Sequence, residues 1–198
     1  MSGITLDVSP CIIKILYMEE PIEDMPVEVL EMFLYKMSYI DIKEFALTSK
    51  KHLTIVRSYL TRHAHSAKEI LEKKYPGSTV GMGKQQLIER VYFLTGTNDP
   101  KDIDIQMGSN IVWSYRGKKI ECSQHSEEWY MDDRYHRVDG PARIEDDNGI
   151  NIEQWYMDGQ PHRVDGPART MWYHGIKTSE EWYISGQYHR IDHPTVAY

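Results

Sequence analysis

The stretch from Glu153 to Arg169, EQWYMDGQPHRVDGPAR, decides the fold of the second half of the chain because it occurs three times. The copy before it, residues 127–143, reads EEWYMDDRYHRVDGPAR, and the copy after it, residues 180–196, reads EEWYISGQYHRIDHPTV. The tryptophans of the three copies lie 26 and 27 residues apart. A fixed period in this range indicates a repeat array, in which each unit buries its apolar face on its neighbours.

Each copy divides into short aromatic runs and turns. The alternating runs around Trp-Tyr and around His-Arg are typical of half-buried β-strands. Gly159 lies between the two runs and predicts a tight hairpin turn, since glycine adopts a positive φ without strain. A second turn is predicted where proline ends the hydrogen-bond ladder, at Asp165-Gly166-Pro167 and, one copy earlier, at Asp139-Gly140-Pro141. One repeat is therefore about two strands and two turns, and the array is a β-meander.

All tryptophans of the chain fall in this half, so we expect them to form the core of the array: Trp113, Trp129, Trp155, Trp172 and Trp182. A weaker phrase lies between the copies, RTMWYHG at residues 169–175, and is matched by RIEDDNG at 143–149 and IVWSYRG at 111–117. The repeats are therefore assigned to residues 109–198. The last copy has DHPT in place of DGPA, which is typical of a terminal repeat with one uncovered face.

The preceding residues predict helices. Residues 1–20 are assigned as an extension without a function, and Met1 and Met18 are both possible translation starts. Residues 21–66 form a predicted helical module, and residues 67–108 a predicted helical connector that ends in turn-rich sequence. The fold class is therefore α+β, with an antiparallel β-hairpin array after the helices.

The predicted helical module opens with a proline near the first turn of a helix, at Pro26, followed by acidic residues at the positive helix end. Apolar residues then recur on one face: Val29, Leu30, Phe33, Leu34 and Met37. Asp41 predicts the cap of a second helix that carries Ile42. Three short helices bury little surface alone, so this module is expected to need a partner or the rest of the chain.

Charge is unevenly distributed along the sequence. Residues 1–126 carry 16 basic and 16 acidic side chains, whereas residues 127–198 carry 7 basic and 14 acidic. An acidic array is a poor binder of nucleic acid or anionic lipid, because both require clustered Lys and Arg. Two cysteines, Cys11 and Cys122, exclude a disulfide scaffold, and the sequence shows neither a secretory signal nor a membrane-spanning apolar run. We expect protein partners inside a cell, and the oligomeric state does not follow from the sequence.

No catalytic, cofactor or metal site is predicted. The run GSTVGMGK at residues 77–84 has the wrong spacing for a phosphate loop, and Gln85 stands where a hydroxyl is required, so a flexible loop before a helix is favoured. Cys122 with His125 gives only half of a zinc site. The repeated His-Arg-x-Asp set could supply ligands. A polar group present in every unit is more simply a structural element, either an Asp that accepts turn N–H bonds or an Arg paired across units.

The run from Met25 to Lys50, MPVEVLEMFLYKMSYIDIKEFALTSK, resembles an F-box. Met25 replaces the usual first leucine of that motif, and the tryptophan often found near its end is absent. The resemblance implies that one helical face docks on the Skp-type subunit of a cullin–RING ubiquitin ligase. The same face could instead be the core of a small helical domain. The candidate partner-binding residues are Met25, Pro26, Val29, Leu30, Phe33, Leu34 and Ile42.

The repeats resemble the degenerate MORN-like repeats of large DNA viruses, and the pairing of an F-box with such repeats is similar to proteins of marseillevirus-like viruses. The resemblance implies a non-enzymatic adaptor in the cytoplasm or nucleus of an infected host cell, with a ligase subunit on its helices and a target protein on its repeats. The alternative is a structural virion protein, associated with capsid or core, whose repeats form an assembly surface. The aromatic ladder indicates core packing first and a carbohydrate or peptide platform second.

Overall fold

The computed structural model describes residues 26–189, and its helices followed by antiparallel strands confirm the predicted α+β class. The chain divides into two compact units, with the division between Lys101 and Asp102. The described helices lie before this point and the described strands after it. The predicted N-terminal extension, Met25 and the last residues of the third copy, from residue 190 onwards, lie outside the described residues.

The first unit contains four helices: α1, Val27–Lys36; α2, Tyr39–Leu47; α3, Lys50–Lys74; and α4, Lys84–Thr95. The predicted boundary between residues 66 and 67 falls inside α3, which runs for 25 residues. Buried Ala64, Ala67 and Leu71 continue one apolar stripe across that boundary. The predicted module and the predicted connector are therefore parts of one helical unit.

Helix α2 begins earlier than the predicted cap at Asp41. Ser38 is the N-cap, and its hydroxyl accepts the backbone N–H of Asp41 at 3.2 Å. The Asp41 carboxylate in turn accepts the backbone N–H of Ser38 at 3.3 Å. This reciprocal pair is a capping box, so Asp41 caps the helix from its third position and not from the position before it.

Most of the predicted partner-binding face of α1 and α2 packs inside the helical unit. Leu30, Leu34 and Ile42 are buried, while Val29 and Phe33 are partly buried against the same core. Helix α1 packs on α3, and α3 also packs on α2 and α4. The long third helix of the unit therefore covers the apolar faces of the short helices, which would bury little surface by themselves.

The second unit contains short antiparallel strands. Those of the main sheet are β1 Asp104–Met107, β2 Ile111–Tyr115, β3 Lys118–Cys122, β4 Ser126–Met131, β5 Arg134–Tyr135, β6 Arg143–Asp147, β7 Ile150–Gln154, β10 Arg169–Tyr173 and β11 Ile176–Glu181. Two further pairs are β8 Tyr156–Met157 with β9 Gln160–Pro161, and β12 Tyr183–Ile184 with β13 Gln187–Tyr188. The nine-stranded sheet has the order β1-β2-β3-β4-β6-β7-β10-β11, with β5 on β4. It begins at Asp104, before the predicted boundary at residue 109, because β1 pairs with β2.

Each repeat holds four strands, whereas the sequence predicted about two. The weak phrase forms the long hairpins β6–β7 and β10–β11 of the main sheet, and the strong phrase forms the short hairpins β8–β9 and β12–β13. Two-residue turns close these hairpins, and both turn residues have positive φ, as at Asp158 (50°) and Gly159 (81°). Such turns match the twist of the strands that they join.

The large buried apolar side chains of the described strands lie on the first four strands of the sheet. Ile105 lies opposite Trp113, Trp113 opposite Ile120, and Ile120 opposite Trp129. All four side chains are buried, so one row of large apolar residues crosses β1–β4. This row replaces the predicted five-tryptophan core, because the other tryptophans are only partly buried: Trp155, Trp172 and Trp182.

Candidate functional site

The repeated His-Arg-x-Asp-Gly sequence forms a bend whose arginine covers the tryptophan of the same copy. In the first copy, Arg137 Cζ lies 3.8 Å from the centre of the Trp129 ring, and Arg137 Nε donates to Asp139 Oδ1 at 3.1 Å. A guanidinium over an indole face is attracted by the π electrons of the ring. A Cβ added to Gly140 would lie 2.7 Å from Arg137 Cζ. The position of the arginine therefore requires glycine in the motif.

The second copy repeats this geometry. Arg163 Cζ lies 4.0 Å from the centre of the Trp155 ring, and Arg163 Nε donates to Asp165 Oδ1 at 2.8 Å. That hydrogen bond lowers the pKa of Asp165. A Cβ added to Gly166 would lie 2.8 Å from Arg163 Cζ. The carboxylate bonded to the motif arginine thus belongs to the same copy, whereas one of the two interpretations of the sequence paired the arginine across units.

The motif histidines join one copy to the next. The backbone N–H of Asp158 donates to His136 Nδ1 at 3.2 Å, and the backbone N–H of Ser185 donates to His162 Nδ1 at 3.1 Å. Each of these histidines therefore holds the hairpin turn of the following copy. In the part of the chain that the structure describes, no group of three or more His, Cys, Asp and Glu side chains could hold a metal ion.

The alanines of the motif have a packing role. The backbone N–H of Trp129 donates to the carbonyl of Ala142 at 2.8 Å, and that of Trp155 donates to the carbonyl of Ala168 at 2.7 Å. Both alanines are buried, so a larger side chain has no room there. The prolines before them, Pro141 and Pro167, are partly buried and lie just before β6 and β10.

A groove lies between the first and second copies. Its volume is about 340 Å³. Val138 and Val164, the third residues of the two His-Arg-Val-Asp bends, line it and are 54% and 70% exposed. The other lining residues are Arg137, Asp139, Trp155, Met157, His162, Arg163 and Asp165. We call this site the inter-repeat groove.

A second groove lies in the helical unit and is lined by residues of α2, α3 and α4. Its volume is about 590 Å³, and the lining is mainly apolar: Tyr39, Ala46, Leu47, Leu53, Val56, Leu60 and Ile88, with Lys43, Arg57, Thr61, Lys84 and Gln85. Leu47 is 85% exposed. The described members of the predicted partner-binding set lie elsewhere, and Pro26 alone among them is fully at the surface. We call this site the helical groove.

The glycine-rich loop between α3 and α4 is closed by a carboxylate of the chain. Glu72 accepts the backbone N–H groups of Gly77 at 2.7 Å and Thr79 at 2.8 Å, together with the Thr79 hydroxyl. The Thr79 hydroxyl bond is the main cause that lowers the pKa of Glu72, and the two backbone bonds add to it. These N–H groups therefore already bind an anion that belongs to α3, which leaves the loop unsuited to a phosphate.

A polar ladder crosses the sheet. Glu128 lies opposite Arg143, Arg143 opposite Gln154, Gln154 opposite Arg169, and Arg169 opposite Glu181. Arg143 Nε donates to Glu128 at 3.2 Å, and Arg169 Nη1 donates to Glu181 at 2.8 Å. The middle copy thus has an uncharged amide between two arginines, where the copies on either side have a glutamate.

A row of tyrosines, which belongs to the aromatic ladder expected from the sequence, lies beside this polar ladder. The rings of Tyr130 and Tyr135 are stacked with centres 4.8 Å apart, and the ring of Tyr156 from the next copy lies 5.2 Å from that of Tyr135. Burial raises the pKa of Tyr130 and of Tyr156. In the sequence, this row is indicated by the tyrosine that follows the tryptophan in every copy.

No protein-family model, curated protein or solved structure matches this sequence. Among the described helices, none combines the length and apolar character that crossing a bilayer requires.

Proposed function

We propose that the chain is a non-enzymatic adaptor, present in the cytoplasm or nucleus of an infected host cell. Its helical unit docks on the Skp-type subunit of a cullin–RING ubiquitin ligase, and its repeats hold a target protein. The observation that supports docking is the helical groove, which combines an apolar lining with exposed Leu47. Exposed apolar surface of this kind is typical of a protein-interaction site.

The charges around the helical groove favour one kind of partner surface. Lys43, Arg57 and Lys84 line the groove together with its apolar side chains. Complementary charges raise the association rate and exclude partners of like charge. The docking surface of the ligase subunit is therefore expected to present apolar side chains bordered by carboxylates.

The structure also decides which substitution can test docking. Leu30 belongs to the resemblance-based set, but it is buried, so Leu30→Asp would place a charge in the core and unfold the helical unit. Leu47 lines the groove and is mostly exposed, so Leu47→Asp removes apolar docking surface at little cost to folding. Val80 is 81% exposed in the same unit and lies outside the groove lining, so Val80→Asp is the matched control.

The test is affinity capture from host-cell lysate with the full chain and both variants, followed by mass spectrometry. The wild-type chain and Val80→Asp should recover Skp-type and cullin peptides, and Leu47→Asp should lose them. Recovery of these peptides by Leu47→Asp would exclude the helical groove as the docking surface. Recovery of virion proteins alone would select the structural virion protein and reject the adaptor.

A further inference from the structure

The repeat motif contains one position that the fold does not explain. Packing and hydrogen bonding account for its tryptophan, histidine, arginine, aspartate, glycine and alanine. The remaining residue, between Arg and Asp, is Val138 in the first copy and Val164 in the second, and both are more than half exposed. The third copy has Ile191 at this position, which lies outside the described residues. Val138 and Val164 line the same groove, and exposed apolar residues that lie together mark a surface for contact with a partner.

The carboxylates that line the inter-repeat groove are more accessible to a ligand than the arginines with which they pair. The side chain of Asp165 is 79% exposed and that of Asp158, beside lining residue Met157, is 56% exposed. The two lining arginines are much less accessible, since the side chain of Arg137 is 7% exposed and that of Arg163 is 24% exposed. The accessible surface thus combines valines with carboxylates, in a part of the chain, residues 127–198, that has 14 acidic and 7 basic side chains.

We propose that the inter-repeat groove binds a basic, aliphatic-containing linear segment of the target protein, an inference that rests on the proposed role of the repeats. Lysine or arginine side chains of the segment pair with Asp158 and Asp165, and its aliphatic side chains contact Val138 and Val164. The negative array also attracts a basic segment at long range.

The spacing of the copies sets the spacing of the bound segment. Strands β4 and β7 of successive copies are separated by β6, so equivalent residues lie about 10 Å apart, given about 4.8 Å between neighbouring strands. A polyproline II segment rises about 3.1 Å per residue with three residues per turn, so every third side chain points the same way at about 9 Å. The segment should therefore carry an aliphatic residue at every third position, with basic residues between.

The direct test uses a fluorescein-labelled peptide, Lys-Pro-Leu-Lys-Pro-Leu-Lys, and fluorescence anisotropy with the full chain. This probe should bind, and its affinity should fall as salt is added, because the pairing charges are exposed. A probe with Ser in place of both Leu should bind more weakly, and a probe with Glu in place of the Lys residues should not bind. Absence of binding by the basic probe at millimolar protein, or equal binding by the acidic probe, overturns the proposal.

The double variant Val138→Thr/Val164→Thr locates the site. Threonine keeps the shape and β-branching of valine but is polar, so the bends should fold as before while affinity for the basic probe falls about tenfold or more. Ile176→Thr is the matched control, because Ile176 is 70% exposed on β11 and does not line the groove. Unchanged affinity in the double variant, or an equal loss in Ile176→Thr, overturns the assignment. If the probe fails while ligase peptides are still captured, this inference is wrong and the adaptor function stands.

Discussion

The substitution Gly140→Ala tests whether the arginine of each bend holds its repeat together. Gly140 has a φ outside the left-handed region, so alanine adds no backbone strain there. The new Cβ would lie 2.7 Å from Arg137 Cζ and 2.8 Å from its Nε, so the guanidinium must move away from Trp129 and Asp139. Loss of the ring contact costs about 0.5–2 kcal/mol, and loss of a hydrogen bond between charged groups about 1.5–3 kcal/mol. Gly140→Ala should therefore lower the free energy of unfolding by about 2–5 kcal/mol.

The assay is denaturant unfolding of the full chain followed by tryptophan fluorescence, which reports only the repeat unit because all five tryptophans lie in it. A double-mutant cycle isolates the cause. Arg137→Ala alone should be destabilising, and adding Gly140→Ala to it should cost little more, because the side chain that the Cβ displaces is gone. Additive losses in the double variant would refute the reasoning and place the cost of Gly140→Ala elsewhere.

The second copy offers a graded comparison within the same molecule. Gly166→Ala displaces Arg163 from Trp155 by the same geometry, with 2.8 Å between the new Cβ and the guanidinium carbon. The side chain of Arg163 is more exposed than that of Arg137, so water replaces more of what is lost. The loss of stability should be about half of that at Gly140. A loss as large as at Gly140 would show that burial of the arginine does not set the cost.

Two further substitutions should stabilise the repeat unit in the same denaturation assay. Asp133 has a φ of 60° at the second position of a two-residue turn, where the next two copies have glycine. Asp133→Gly should therefore raise the free energy of unfolding by about 0.5–1 kcal/mol. An unchanged or lower free energy of unfolding would contradict this. Gln154 lies opposite both Arg143 and Arg169. Gln154→Glu should therefore raise the free energy of unfolding by about 0.3–1 kcal/mol at low salt, and should leave it unchanged in about 1 M salt, because salt screens the new ion pairs. A gain in stability that persists at high salt would show that it does not come from the ion pairs.

The features that the sequence predicted well are those with local causes. The repeat period and the turn glycines are visible because a two-residue hairpin turn needs particular residues at fixed positions. Gly159 is an example, since its predicted turn lies between β8 and β9. The carboxylate partner of the motif arginine is an exception, because one interpretation placed it in another unit, whereas Asp139 lies in the same copy. The stacking of the arginine on Trp129, eight residues earlier, is not local and was not predicted.

The features that the sequence predicted poorly are those that depend on which part of the protein, or which partner, covers an apolar face. Leu30 and Leu34 give the same helical periodicity whether a partner or this chain buries them, and the structure places them against the rest of the helical unit. The helical groove was missed for the same reason, because Leu47 and Lys84 lie on helices far apart in the sequence. The tryptophan core was overestimated because apolar residue type does not distinguish Trp129, which is buried, from Trp155, which is only partly so.

In the bend, neighbouring residues have different roles: the arginine contributes to stability, and the valine that follows it contributes to binding. The described sheet beyond β4 has few large buried side chains, and there Arg163 covers the ring of Trp155. Because Arg137 is fixed by Trp129 and Asp139, the next side chain, Val138, projects from a bend that is already held in place. A fixed bend loses little conformational freedom when a ligand binds, which favours affinity. Substitution of the glycine, which does not line the groove, should therefore weaken binding only by loosening the bend, whereas substitution of the valine should weaken binding in a repeat unit that melts as before.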